Sequence, residues 1–309
     1  MAARYFFVFR GKKFGTLIGG TPTSDKERKR MDIFEIISRR MSVRNYQPEP
    51  VEAAEIQEVL NAGEKAETLT QAELRFHVRS DEEMGGEVKG IFGSYGKIIR
   101  APHYIVLVAR ESEGYLLDAG YRFEQAILEA TRRGLGTCWV AGLFKETSLR
   151  IALGLEESWR VVALTPIGRP TDQSFVSRAL RVAVRSSTRK PPGQIFFWQR
   201  HGASLPASVL ANERLMRVLE ATRWAPSWAN KQPWRFILTG REVLAYKQMR
   251  QVKEGKDYHL LDCGIAMVHL HLAAMAAGMG GRWELGGFEV PGAPDAEPIG
   301  RYLLESVSS

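Results

Sequence analysis

The sequence predicts an α+β protein whose architecture is written twice in one chain. Three observations carry that expectation. Apolar residues recur at helical spacing in several segments, for instance Phe123, Ala126, Ile127 and Ala130. Unbroken apolar runs of strand length occur in HYIVLVAR (103–110) and VVALTPIGRP (161–170). LLDAG at 116 is answered by LLDCG at 260, an offset of 144 (260 − 116), and GLGTCW at 134 by GMGGRW at 278, the same offset (278 − 134). Two matches at one offset, each bracketing a helix of the same length, point to an internal duplication.

Taken in order, the elements support that plan. Residues 1–30 end in TPTSDKERKR and read as a flexible extension. Their apolar core is too short, and too broken by Arg10, for a secretory signal. The fold begins at MDIFEIISRR, where Asp32 can cap a helix with Glu35 three residues on, and Ile33, Phe34, Ile36 and Ile37 form its stripe. A second helix turns Ile56, Val59 and Leu60 inward, and the Gly-rich residues 81–100 are irregular. The strand at 103 leads into the helix YLLDAGYRFEQAILEATRRGLG, with Gly134 as its stop. CWVAGLF is apolar and close-packed, and the run ending in Pro170 is another strand.

After the basic stretch RALRVAVRSSTRKPPGQIFF the pattern restarts. VLANERLMRVLEATRWAPS is a helix with Leu215, Val218 and Leu219 on one face, WRFIL is a strand, and YHLLDCGIAMVHLHLAAMAAGMGGRW is a long apolar helix. His269 and His271, inside its apolar run from Cys263 to Gly281, favour a buried core element over a membrane span. The expected organisation is therefore an extension (1–30), a first copy (31–199) and a shorter second copy (200–309).

Composition narrows the class. With 44% hydrophobic and 25% charged residues the chain reads as a globular, cytoplasmic protein without a membrane partner. The net charge of +8 suits an anionic partner, but apart from Lys26–Arg30 the basic residues are scattered, and charge alone does not separate a phosphorylated small molecule from RNA. Two distant Cys, 138 and 263, argue against a disulfide scaffold or a zinc site. His269 and His271 diverge on a helix, so no metal site is expected.

Three motifs remain. In RRMSVRNY (39–46), Arg40, Ser42 and Arg44 alternate, so an extended chain points all three side chains one way and can hold a phosphate. The bland alternative is a solvated basic turn at a helix end. GLGTCWVAGLF (134–144) lacks a dinucleotide fingerprint. Its glycines suit a helix stop, or close backbone approach to a flat ligand. Cys138 has no activating pattern and reads as a small buried residue. In APSWANKQPWRF (225–236), Pro226 and Pro233 can simply stiffen a loop in which Ser227 and Asn230 make local turns. Alternatively, Asn230 and Gln232 offer amides to a heterocycle edge, between Trp walls.

Together RRMSVRNY, GLGTCW and APSWANKQPW resemble the nitroreductase family of flavin mononucleotide (FMN) oxidoreductases, in the form with two copies fused into one chain, over about residues 31–290. The resemblance implies a nitroreductase-like fold: a mixed β-sheet flanked by helices, doubled into a pseudo-dimer, so that a monomer suffices. It implies FMN as cofactor and NAD(P)H as co-substrate. It assigns Arg40, Met41, Ser42 and Arg44 to the FMN phosphate and adjacent flavin oxygens. Gly136, Thr137, Cys138, Trp139, Val140, Ala141 and Gly142 would run past the flavin ring. Arg189 would reach the phosphate, and Pro226, Ser227, Trp228, Asn230 and Gln232 would come from the second copy. Met41 interrupts the family's paired basic residues before Ser42, which leaves the division of labour between Arg39 and Arg40 open. No side chain is required as acid or base; Arg44 would stabilise charge on the reduced flavin.

The first copy's equivalent of the 225–236 loop, AGEKAETLTQAELRF, has neither Pro nor Asn, and the second copy lacks an RRMSVR counterpart. Two symmetric sites would thus become one. The expected activity is transfer of hydride from NAD(P)H to a small electron-poor acceptor such as a nitroaromatic or quinone, with no nucleic-acid partner. Two alternatives stay open: a non-catalytic FMN-binding protein for storage or sensing, and a basic binding module whose repeat is purely structural.

Overall fold

A computed structural model describes residues 31–84, 92–93, 97–142, 144–171, 189–248 and 257–304. The expected extension 1–30, most of the basic stretch after Pro170, and part of the irregular 81–100 region lie outside the described residues.

The described elements run α1 (Ile33–Arg39), α2 (Ala53–Glu64), β1 (Leu74–Ser80), α3 (Asp81–Met84), β2 (Phe92–Gly93), β3 (Lys97–Ile98), β4 (His103–Arg110), α4 (Tyr115–Arg132), β5 (Gly136–Thr137), α5 (Glu146–Ala152) and β6 (Trp159–Gly168). They continue with β7 (Phe196–Trp198), α6 (Ala207–Leu210), α7 (Glu213–Arg223), β8 (Trp234–Leu238), β9 (Glu242–Lys247), α8 (Tyr258–Ala276), β10 (Gly281–Leu285) and β11 (Glu297–Leu304). Asp32 caps α1 as expected, accepting from Glu35 N at 2.8 Å.

Two larger sheets result. One has the order β1-β4-β6-β5, all antiparallel. The other has the order β7-β8-β9-β11-β10, antiparallel except where β7 joins β8 in parallel. Along the chain, β8, β9, α8, β10 and β11 thus follow one another as β1, β4, α4, β5 and β6 do. The first sheet is antiparallel and the second mixed, and helices flank both in an α+β arrangement.

Helices α4 and α8 cross at the centre, and two glycines set the distance. A Cβ on Gly120 would lie 2.1 Å from the Leu261 carbonyl oxygen, and one on Gly264 would lie 2.0 Å from that of Leu117. Only a residue without a side chain allows backbones this close. The contact is reciprocal, because 117 and 120 shifted by 144 are 261 and 264.

The two cores interlock more than a boundary at 199 suggests. Phe34, Ile36 and Ile37 of α1 join the core built from α4, α7, α8, β8 and β9. β7, which precedes residue 199, pairs with β8 in the second sheet. The apolar helix α8 has the length and composition of a membrane span, but 67% of that window is buried inside the protein, where it packs as a core helix.

Candidate functional site

The segment after α1 is extended, as its alternation demands. Val43 N donates to Thr137 O at 2.8 Å, and Ser42 bridges to Thr137 in parallel. Gly136 permits this approach, since a Cβ there would sit 2.8 Å from the Val43 side chain. The close approach expected of Gly136 is therefore to the 40–44 segment. The two arginines divide: Arg39 turns back onto Glu35 at 2.6 Å, whereas Arg40 runs inward and is 2% exposed. Burial pushes the Cys138 thiol pKa up, opposed by the charge of Arg44, a hydrogen bond with Ser42 and the charge of Arg40. Cys138 is a buried thiol, as expected.

Beyond Cys138 successive side chains enter different cores. Trp139 Nε1 donates to Glu124 at 2.6 Å, and Val140 is buried and exchanges backbone hydrogen bonds with Leu164 at 2.9 Å. Gly142 reaches the surface beside Tyr258 of α8.

Arg189 arrives from the other side. Its guanidinium donates to the Ala225 carbonyl and, at 3.0 Å, to that of Trp224, at the C-terminus of α7 where the helix dipole favours a cation. Burial, and then the like charges of Arg40 and Arg223, bring its pKa down to about 9. Lys190 binds the loop beyond: its backbone N donates to Gln232 Oε1 at 3.1 Å, and its Nζ to Lys231 O and Gln232 O, each at 2.9 Å.

The 225–232 loop is tightly held and strained. Ala229, Asn230 and Gln232 have φ of 46°, 56° and 48°, left-handed conformations that cost non-glycine residues free energy. Gln232 is 1% exposed; its backbone N donates to Ser227 Oγ at 2.9 Å and its amide to Asn230 Oδ1 at 3.1 Å. Gln232 thus orients Asn230 from behind. Pro226 is buried, while Trp228 is 54% exposed. Of the two Trp expected as walls, Trp234 is instead a core residue of β8, 1% exposed. That part of the expectation is corrected by the strand's burial.

Three further groups at the site were not among the expected residues. Asp262 of α8 accepts from Trp228 N with both oxygens, at 3.1 and 3.2 Å. Burial raises its pKa to about 8, against the Trp228 hydrogen bond and the charge of Arg189. Glu124 and His269 are both fully buried and lie 3.0 Å apart. Asp262 lies inside the repeated LLDxG motif, which could have flagged it. Glu124 and His269 pair across 145 residues and leave no local signal. Among the described residues no three His, Cys, Asp or Glu come together as a metal site.

A protein-family model described as "Putative TM nitroreductase" matches residues 32–274. The chain belongs to this nitroreductase family. The solved structure of a putative nitroreductase from Thermotoga maritima MSB8 aligns over 89% of this chain and 93% of its own, at 22% identity and a TM-score of 0.56. A nitroreductase family protein from Clostridium novyi NT is 28% identical over 46% of this chain and 89% of its own, TM-score 0.42. An FMN-dependent nitroreductase from Clostridium difficile R20291 is 21% identical over 44% and 87%, TM-score 0.38. The search of curated proteins gives no match. For this nitroreductase family member, the expected family holds, and so does the α+β arrangement of sheets flanked by helices.

Proposed function

We propose that the chain is an FMN-dependent NAD(P)H oxidoreductase with one flavin site, formed between its two halves. The observation carrying this reading is the convergence of Arg40, Ser42 and Arg44 with Arg189 and the 225–232 loop. Arg189 bonds the start of that loop while feeling the charge of Arg40. The residues fit a phosphorylated, hydrogen-bonding cofactor. Among the described residues, Arg189 Nε and Thr137 Oγ1 are buried without a hydrogen-bond partner, a costly state that an oxyanion would relieve.

FMN, when bound, supplies the redox chemistry, relaying hydride equivalents from NADH or NADPH to an electron-poor acceptor such as a nitroaromatic or quinone. The chain's own residues bind and orient. Arg40 and Arg189 hold the phosphate, with the Ser42 and Thr137 hydroxyls beside it. Arg44 stabilises negative charge at the pyrimidine end. Asn230, turned by Gln232, presents its donor side to a ring edge, and Trp228 offers a flat apolar face.

An internal duplication accounts for the matching strand orders and the reciprocal Gly120 and Gly264 contacts. It makes the chain a pseudo-dimer that needs no second subunit, with copies at 31–199 and 200–309. Its cytoplasmic placement follows from the same reading. Flavin absorbance of the purified protein, compared with chain concentration, tests the proposal. One FMN per chain and consumption of NADH or NADPH with a quinone are expected. Two FMN per chain would refute the single site. Retention of FMN without nicotinamide oxidation would favour a carrier, and failure to bind FMN would sink the flavin reading.

A further inference from the structure

Glu124 is the point at which three site segments meet. It projects from the centre of α4, and its carboxylate receives Trp139 Nε1 at 2.6 Å and faces His269 Nε2 at 3.0 Å. Arg40 Nε lies 3.6 Å from the same oxygen that His269 meets. The other ring nitrogen of His269 lies 3.0 Å from Ala221 O, one turn before the α7 carbonyls that hold Arg189. One carboxylate therefore ties Arg40 directly, the flavin-flanking segment through Trp139, and the Arg189 anchor through His269 and α7.

We propose that Glu124 is the positioning residue of the phosphate grip: it fixes the Arg40 guanidinium for a phosphate monoester by its charge, acting through no ligand contact of its own. The inference rests on the flavin reading above. The charge is essential because the indole N–H and the guanidinium both face this carboxylate, one on each oxygen. A carboxylate accepts from Trp139 and pairs with the Arg40 charge at the same time, whereas a carboxamide of the same shape would turn its own N–H group toward one of them. Arg40 and Glu124 are both buried, so bulk water does not reach the pair to take over the lost contact.

The test compares FMN with riboflavin, which differ only in the phosphate, on flavin-free protein by quenching of flavin fluorescence. For Glu124→Gln we expect FMN affinity to fall about tenfold while riboflavin affinity is unchanged, in line with loss of one charge-assisted contact. Equal losses for both flavins would reduce Glu124 to a packing role, and tighter FMN binding would mean that its negative charge merely opposes the phosphate; either overturns the proposal. If the Gln variant does not fold, Glu124→Asp keeps the charge but withdraws it by one methylene. A loss confined to FMN, about threefold, is then expected, and equal losses overturn the proposal. Wild-type protein that binds neither flavin defeats the flavin reading itself; wild-type discrimination retained by both variants defeats only this inference.

Discussion

The loops at 66–72 and 225–232 hang from the same hook and do different things. Each enters under a buried Asp in the first turns of a central helix: Leu69 N donates to Asp118 at 2.6 Å, Trp228 N to Asp262 at 3.1 Å. Around the hooks the chemistry parts. Asp118 has Arg122 at 3.9 Å, one turn along α4, whereas the position 144 residues later, 266, is Ala. Burial raises both carboxyl pKa values, but only Asp262 is driven to about 8. The second loop also carries the three left-handed residues; the first carries none. The comparison teaches that backbone scaffolding can stay alike while polar side chains and strain are concentrated where a ligand is to be held.

The crossing of α4 and α8 offers the largest test of likeness. Gly120→Ala and Gly264→Ala should each destabilise by about 3 kcal/mol or more, since the new methyl meets backbone that cannot swing aside. Urea unfolding of the two variants should give similar costs; a severalfold difference would break the reciprocity.

The two hooks should part with pH. The folded state keeps the Asp262 proton to about pH 8, while an unfolded Asp releases it near pH 4, so unfolding releases a proton between those limits. Stability therefore falls as pH rises through that window. Asp262→Asn should flatten this slope, removing a pH-dependent penalty on the order of a few kcal/mol, and Asp118→Asn should flatten it less. Urea midpoints taken between about pH 5 and pH 8.5 read the difference.

Ligand-loop chemistry comes next. Asn230→Leu should weaken FMN retention about tenfold without changing the fold, the cost of one lost hydrogen-bonding group in a buried site. Unchanged retention after dialysis would mean that the loop was misassigned. The smallest effect is expected at Ala229, with its φ of 46°. Ala229→Gly relieves that conformation and should leave stability unchanged or raise it by up to about 1 kcal/mol. Thermal unfolding of the variant reads it, and a clear loss of stability would contradict the assigned strain.

Much of this was legible in the sequence, because local patterns dictate it. The cap at Asp32, the stripe of α1, the strand at 103 and both central helices follow from spacing and capping residues. The 144-residue offset relates the two halves in the sequence itself, and it passes through both hook aspartates. Strands β1, β9, β10 and β11 escaped, being short or mixing polar and apolar residues without clean alternation. The Glu124–His269 pair escaped for a different reason: each sits on a helix of sound amphipathic or apolar pattern, and only tertiary packing brings them together. Trp234 misled because a loop motif runs into a strand without a break, and strand burial then fixes its indole.

The placement of α1 has a consequence for the order in which the protein is made. Phe34, Ile36 and Ile37 leave the ribosome early, yet the α7 and α8 surfaces that help to cover them are encoded some two hundred residues later. Until those helices emerge, a greasy stripe near the N-terminus has only part of its cover, and the covering contacts are distant in sequence and slow to form. A chain released after the first sheet, at residue 199, would keep that stripe open permanently. Such a fragment should associate or recruit chaperones, whereas the full chain closes on itself.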